Sequence, residues 1–196
     1  MRIVGGKFRG KLLATPKDDR IRPTTDRVRE SIFNILAHGE FAKDGMGLPM
    51  GAKVLDLFAG TGALGLEAFS RGATSVTFVD DHPESRALIR RNIEAMGATG
   101  ATRLMRRDAL DVGPVPPGNQ AGGPFDLIFL DPPYGKDWVG KAITNAFKGG
   151  WFNAGAVIVA EMEITATPPE LADISLIQSR DYGDSRIAFY RVGPSP

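Results

Sequence analysis

Lys53-Val54-Leu55-Asp56-Leu57-Phe58-Ala59-Gly60-Thr61-Gly62-Ala63-Leu64-Gly65 reads as a buried strand, a glycine turn and the start of a helix. The apolar run lacks strict alternation, as expected of a strand covered on both faces. Gly60, Gly62 and Gly65 satisfy G-x-G-x-x-G directly after it, the arrangement that lets a ligand approach the backbone at a helix N-terminus. The pattern alone does not choose between a nicotinamide dinucleotide and another adenosine cofactor. It does predict an open α/β sheet, whose ligands gather at the carboxyl ends of the strands.

Later stretches repeat the theme of an apolar run closed by an acid. Ser75-Val76-Thr77-Phe78-Val79 ends in Asp80, eighteen residues after Gly62, where a carboxylate meets ribose hydroxyls. Asp81 is adjacent, but Asp80 ends the strand directly. Thr102 to Arg107 predicts a third strand with Asp108 at its end, placed to accept a bond from an adenine amine. Phe125-Asp126-Leu127-Ile128-Phe129-Leu130 is a fourth, followed by Asp131-Pro132-Pro133-Tyr134. The prolines stop the ladder because they fix φ and lack an N–H. Asp131 and the Pro132 carbonyl are both acceptors and can take the two hydrogens of an exocyclic amine, while Tyr134 can stack on an extruded base. A plain strand-end loop with Asp131 as a helix cap is the simpler alternative.

Composition removes several chemistries. The 196 residues contain no Cys, which excludes thiolate metal sites and Cys nucleophiles. With only His38 and His82 besides, no metal site is expected. No run of 18 apolar residues and no N-terminal apolar segment occurs, so neither a membrane span nor a secretory signal is expected. The net charge of +1 hides an asymmetry: residues 1–30 carry nine Lys/Arg against four Asp/Glu. Such a basic head suggests a polyanion contact.

The head begins as a hairpin, with Arg2-Ile3-Val4 and Lys11-Leu12-Leu13 flanking a glycine-rich turn. Lys7 and Arg9 project from it as candidate RNA contacts, and Phe8 can stack on RNA or pack on the hairpin. Thr24 or Thr25 caps a helix in which Val28, Ile32, Phe33, Ile35 and Leu36 recur at helical spacing. Arg20, Arg22, Arg27 and Arg29 are candidates for phosphate contacts, or for ion pairs with Asp26 and Glu30. Residues 112–124, rich in Pro and Gly, predict an exposed loop. Ala156–Glu161 predicts a further buried strand, and two alternating stretches around Tyr182-Gly183-Asp184 predict a closing antiparallel pair. We divide the chain into an RNA-binding hairpin and helix at 1–40 and a catalytic domain at 41–196.

The ordered signals resemble the class I S-adenosylmethionine-dependent methyltransferases that modify exocyclic amines. More closely, Arg2 to Gly10, Arg22 to Glu30, Asp56 to Gly65, Asp131 to Tyr134 and Tyr182-Gly183-Asp184 resemble the RsmD family of 16S rRNA guanine-N2 methyltransferases. The resemblance implies a Rossmann-like, mostly parallel seven-stranded sheet with an antiparallel last strand and a small N-terminal hairpin-and-helix appendage. It implies Asp56, Phe58, Gly60, Gly62, Asp80 and Asp108 at an S-adenosylmethionine site, and Asp131, Pro132, Pro133 and Tyr134 on the target guanine. It further implies a cytoplasmic monomer acting on 16S rRNA within an assembling small ribosomal subunit. An adenine-N6 methyltransferase on DNA or RNA, or a non-catalytic RNA-binding factor on the same fold, are the alternatives.

Overall fold

A computed structural model describes residues 1–16, 24–42, 46–118, 120–133 and 135–194. Arg20, Arg22 and Tyr134 lie outside the described residues.

Seven strands form one sheet in the order β3-β2-β1-β4-β5-β7-β6. They are β1 (Lys53–Leu57), β2 (Ser75–Val79), β3 (Thr102–Met105), β4 (Phe125–Leu130), β5 (Phe152–Glu163), β6 (Ile174–Tyr182) and β7 (Ser185–Val192). β1 to β5 pair in parallel, and β7 runs antiparallel between β5 and β6. This is the expected class I methyltransferase architecture, with its antiparallel last strand. β3 ends two residues earlier than expected, so Asp108 sits in the turn beyond it.

Alternate residues of each strand feed opposite faces. Val54, Phe78, Leu127 and Phe129 pack against α1 (Asp26–Leu36), α2 (Ala63–Ser70) and α3 (Pro83–Ala95). Leu55, Leu57, Ile128 and Leu130 pack against α4 (Trp138–Lys148) and Trp151. Both faces of the sheet are therefore covered, which is why the central strands read as continuous apolar runs. The third glycine of the turn belongs to this packing. A Cβ on Gly65 would lie 2.5 Å from Phe78 and 2.8 Å from Val76, so α2 could not rest on β1 and β2 at its present depth.

The loop expected to be exposed at 112–124 is anchored instead. Val112 and Ala121 are buried, the Thr77 hydroxyl donates to Ala121 O at 2.7 Å, and Trp151 Nε1 donates to Gly113 O at 2.8 Å. Its Pro and Gly content reflects turns, while its few apolar residues cap the α4 side of the core.

The N-terminal hairpin forms, with Arg2 bridging Leu12, and it docks on α2. Glu67, fully buried, accepts the Val4 and Gly5 N–H groups at 2.8 Å each and Arg71 Nε at 2.7 Å. Lys7 N donates to Ser70 O at 2.7 Å, and Gly6 permits the approach, since a Cβ there would stand 2.0 Å from that oxygen. Phe8 stacks on Phe69 of α2 at 5.7 Å between ring centroids, so it faces the main body and not the hairpin. Thr25, not Thr24, caps α1 by accepting from Val28 N.

Candidate active site

Strand register assembles the site. Leu57 of β1 pairs with Val79 of β2 on one side and Leu130 of β4 on the other. The next residues, Phe58, Asp80 and Asp131, therefore emerge side by side at the carboxyl end of the sheet. They line one cavity of about 720 Å³ together with Asp56, Gly60, Asp108, Pro132, Pro133 and Trp138. That volume lies within the range of small-molecule sites.

Each wall has a local cause. Gly60 at φ +57° and Gly62 at φ +77° turn the chain from β1 into α2. Gly60 N–H donates to Asp80 Oδ2 at 2.9 Å, and His82 N–H to Asp80 Oδ1 at 2.8 Å. These bonds fix the Asp80 carboxylate at the cavity rim and leave each oxygen a further lone pair. Burial pushes Asp80 above the usual carboxylate range, against the pull of those two N–H groups. Phe58 holds φ +58°, a costly conformation for a residue with a Cβ, and stacks on Trp138 at 5.9 Å with the rings 16° apart. The pair forms an aromatic wall.

Asp56 lies beneath the turn. Its Oδ2 accepts Gly65 N–H at 3.0 Å, and burial raises it from 3.8 to about 8, with the Asp80 charge acting in the same direction. Between those two values the folded protein keeps a proton that the unfolded chain releases, so folding stability falls as pH rises through that window. Asp56→Asn retains an acceptor for Gly65 but has no proton to lose. Its urea midpoint relative to the parent is expected to climb between about pH 5 and about pH 8; parallel midpoints across that range would contradict the buried, protonated carboxyl.

Asp131 is half-buried, with Pro132 buried beside it. Burial and then the Glu161 carboxylate push Asp131 well above the usual range; Asp56 adds to this and a bond from Thr24 opposes it. The Thr24 hydroxyl stands 3.3 Å from Asp131 Oδ2 and 2.9 Å from Glu161 Oε2. Neither Thr24 nor Glu161 was singled out for this site from the sequence. Glu161 follows Ala160, which pairs with Leu130, so only strand register sets it beside Asp131.

Two expected site residues are not among those lining the cavity. Gly62, the N-cap of α2, lies between the lining residues Thr61 and Ala63, and a Cβ on it would meet Phe78 at 3.3 Å and Ile89 at 3.4 Å. Arg29 is fully buried and donates to Thr24 O at 2.7 Å, Arg2 O at 2.5 Å and Asp26 Oδ1 at 2.7 Å. It is an internal clamp and not a phosphate contact. Lys7, Arg9 and Arg27 are exposed, as a polyanion contact requires.

Comparison with known proteins follows this geometry. The model of a family described as "Conserved hypothetical protein 95" matches residues 1–191. Ribosomal RNA small subunit methyltransferase D of Escherichia coli K12 is 35% identical over 193 residues, covering 97% of this chain and 89% of that protein. The Haemophilus influenzae protein of the same name is 32% identical over 164 residues, 83% of this chain and 79% of its own. Among solved structures, yhhF from Escherichia coli superposes with a TM-score of 0.81 at 30% identity, covering 100% of this chain and 99% of that one.

Proposed function

The chain belongs to the family described as conserved hypothetical protein 95, the RsmD methyltransferase family, and from that premise we propose that it methylates the exocyclic N2 of a guanine in 16S rRNA, with S-adenosylmethionine as donor. The observation that carries this reading is a single cavity bounded by Gly60 and Asp80 on one side and by Asp131, Pro132 and Pro133 on the other.

The donor set fits the cofactor. Asp80 offers a carboxylate at the end of β2 to a ribose diol, Asp108 an acceptor to an adenine amine, and Phe58 with Trp138 a flat apolar wall. S-adenosylmethionine supplies a methyl carbon already activated by its sulfonium. What this protein supplies is position and electrostatics. A guanine N2 is a weak nucleophile because its lone pair is delocalised into the ring. Asp131 and the Pro132 carbonyl accept its two hydrogens, hold the amine in line, and stabilise the positive charge that develops on nitrogen. Pro132 and Pro133 make that acceptor pair rigid. Residues 1–40 present Lys7, Arg9 and Arg27 to the phosphates of a small-subunit particle, with Arg22 and Tyr134 as further candidates.

Two measurements test this. Calorimetric titration is expected to detect S-adenosylhomocysteine and not NAD. Incubation with labelled S-adenosylmethionine and small-subunit particles lacking the modification, followed by mass spectrometry of digested RNA, is expected to find N2-methylguanine. Label on adenine N6, or cofactor binding with no RNA labelling, rejects the assignment.

A further inference from the structure

The two prolines after Asp131 are a partition with a cavity on either side. Pro132 and Pro133 line the cofactor cavity, and they also line a second one of about 490 Å³ that reaches to the end of β5. That volume again lies within the range of small-molecule sites. Neither the cofactor nor the target amine has a use for it.

Strand register and a hydrogen-bonded loop build this second cavity. Leu130 of β4 pairs with Ala160 of β5, so Pro132 and Met162 each stand two residues beyond that pair. Met162 and Val139 of α4 are each 5% exposed and, with Pro132, form an apolar floor. Glu163, Thr165, Thr167 and Pro169 form a facing wall. Hydrogen bonds hold that wall. Ala166 N–H donates to Glu163 O at 2.9 Å, Ile164 N–H to Asp184 O at 2.9 Å, and Arg186 Nη1 to Ala166 O at 3.0 Å. Arg186 is itself paired with Asp181 at 2.8 Å. The turn at Tyr182-Gly183-Asp184 thereby buttresses the wall through the Asp184 carbonyl. Pro169 closes it against α4, where a Cβ on Gly140 would stand 3.2 Å away.

The lining chemistry selects the occupant. Thr165 and Thr167 are exposed, and each brings a hydroxyl that donates and accepts, while Glu163 brings an acceptor. An apolar floor edged with such groups suits a flat base and its ribose hydroxyls. Among the described lining residues, Asp137 and Glu163 set two carboxylates against the Lys136 ammonium, so the cavity is no trap for a free polyanion. Lys136 Nζ lies 4.6 Å from the centre of the Trp138 ring, and Trp138 lines the cofactor cavity. The ammonium therefore stands at the boundary of the two cavities, where a phosphodiester linking a base on one side to a base on the other passes.

We propose that the second cavity receives the nucleotide immediately next to the target guanine in the same RNA strand and sets sequence preference at that position. The inference rests on the methyl-transfer reading above and deepens it, naming what holds the strand while the guanine is turned towards the cofactor. Enzymes that work on an extruded base draw context preference from flanking nucleotides in this way.

Kinetics on small-subunit particles lacking the modification test the proposal. Thr167→Trp fills the cavity from an exposed position, which spares the fold. Its KM for particles is expected to rise about tenfold or more, with kcat changed less than about threefold and S-adenosylhomocysteine affinity less than about twofold. Exchanging purine for pyrimidine at one of the two nucleotides flanking the methylated guanine is expected to cost the parent about tenfold in kcat/KM, and Thr167→Trp much less, because both changes remove one shared contact. Ultraviolet crosslinking of the parent to particles, read by mass spectrometry, is expected to join segment 162–169 to that same nucleotide. An unchanged KM in Thr167→Trp, flanking exchanges that cost the parent nothing, or an equal penalty in variant and parent overturns the proposal, while N2 methylation by the parent still upholds the methyl-transfer reading. A parent that methylates no guanine N2 sinks that reading and the subsite with it.

Discussion

Asp131→Ala is expected to lower kcat by about 100-fold or more while S-adenosylhomocysteine affinity changes by less than about threefold. The split follows from where Asp131 stands. It shares the cavity with the turn at Gly60 and the Asp80 carboxylate, whose bonds run among Gly60, His82 and Asp80, while Asp131 meets Thr24. Its loss therefore spares the cofactor half and removes the acceptor proposed to stabilise the positive charge that develops on nitrogen as it gains carbon. The same change should leave the fold as stable as before or more so, because burial and the nearby Glu161 charge both disfavour the ionised carboxyl. Thermal unfolding beside single-turnover kinetics checks both halves. Near-normal turnover would remove Asp131 from the chemistry; a collapse of stability would make it structural.

Arg29→Met is expected to destabilise the protein by about 3 kcal/mol, or roughly 6–12 °C in Tm for a chain of this size. Methionine keeps much of the buried stem, so the loss isolates the polar contacts. Without the guanidinium, the buried carbonyl of Thr24 and the part-buried carbonyl of Arg2 lose their donor, and the Asp26 carboxylate keeps only its longer ion pair to Arg2 at 3.4 Å. An exposed phosphate contact would behave in the opposite way: RNA affinity and its salt dependence would fall while stability held. Urea denaturation and RNA binding measured on the same variant separate the two. Unchanged unfolding would return Arg29 to the RNA-facing surface.

The contrast between Arg29 and the strand-end acids shows what the chain made legible. Asp80 and Asp131 were readable because each closes an apolar run at a place where parallel strands end together. Arg29 was misread because it sits among charges, yet a signal was present. Arg29, Ile32, Phe33 and Leu36 follow the i, i+3, i+4, i+7 spacing of one helix face, and all four are buried. Thr24 and Glu161 gave no such signal. They lie 137 residues apart, and their meeting depends on β4–β5 register and on how the head docks. The 112–124 segment misled for a related reason, since Pro and Gly report local turns and not whether Val112 and Ala121 find a core to enter.

The docking of the hairpin on α2 bears on protein engineering. Five backbone groups of residues 4–8 engage Glu67 and Ser70, and Asn92 of α3 bridges Ala14 to the carbonyl of Thr61. A head borrowed from a relative would bring its own charges but not these sockets. On the RNA-binding role proposed for the head, exchanging RNA preference between relatives therefore calls for transplanting the seat on the two helices along with the arm.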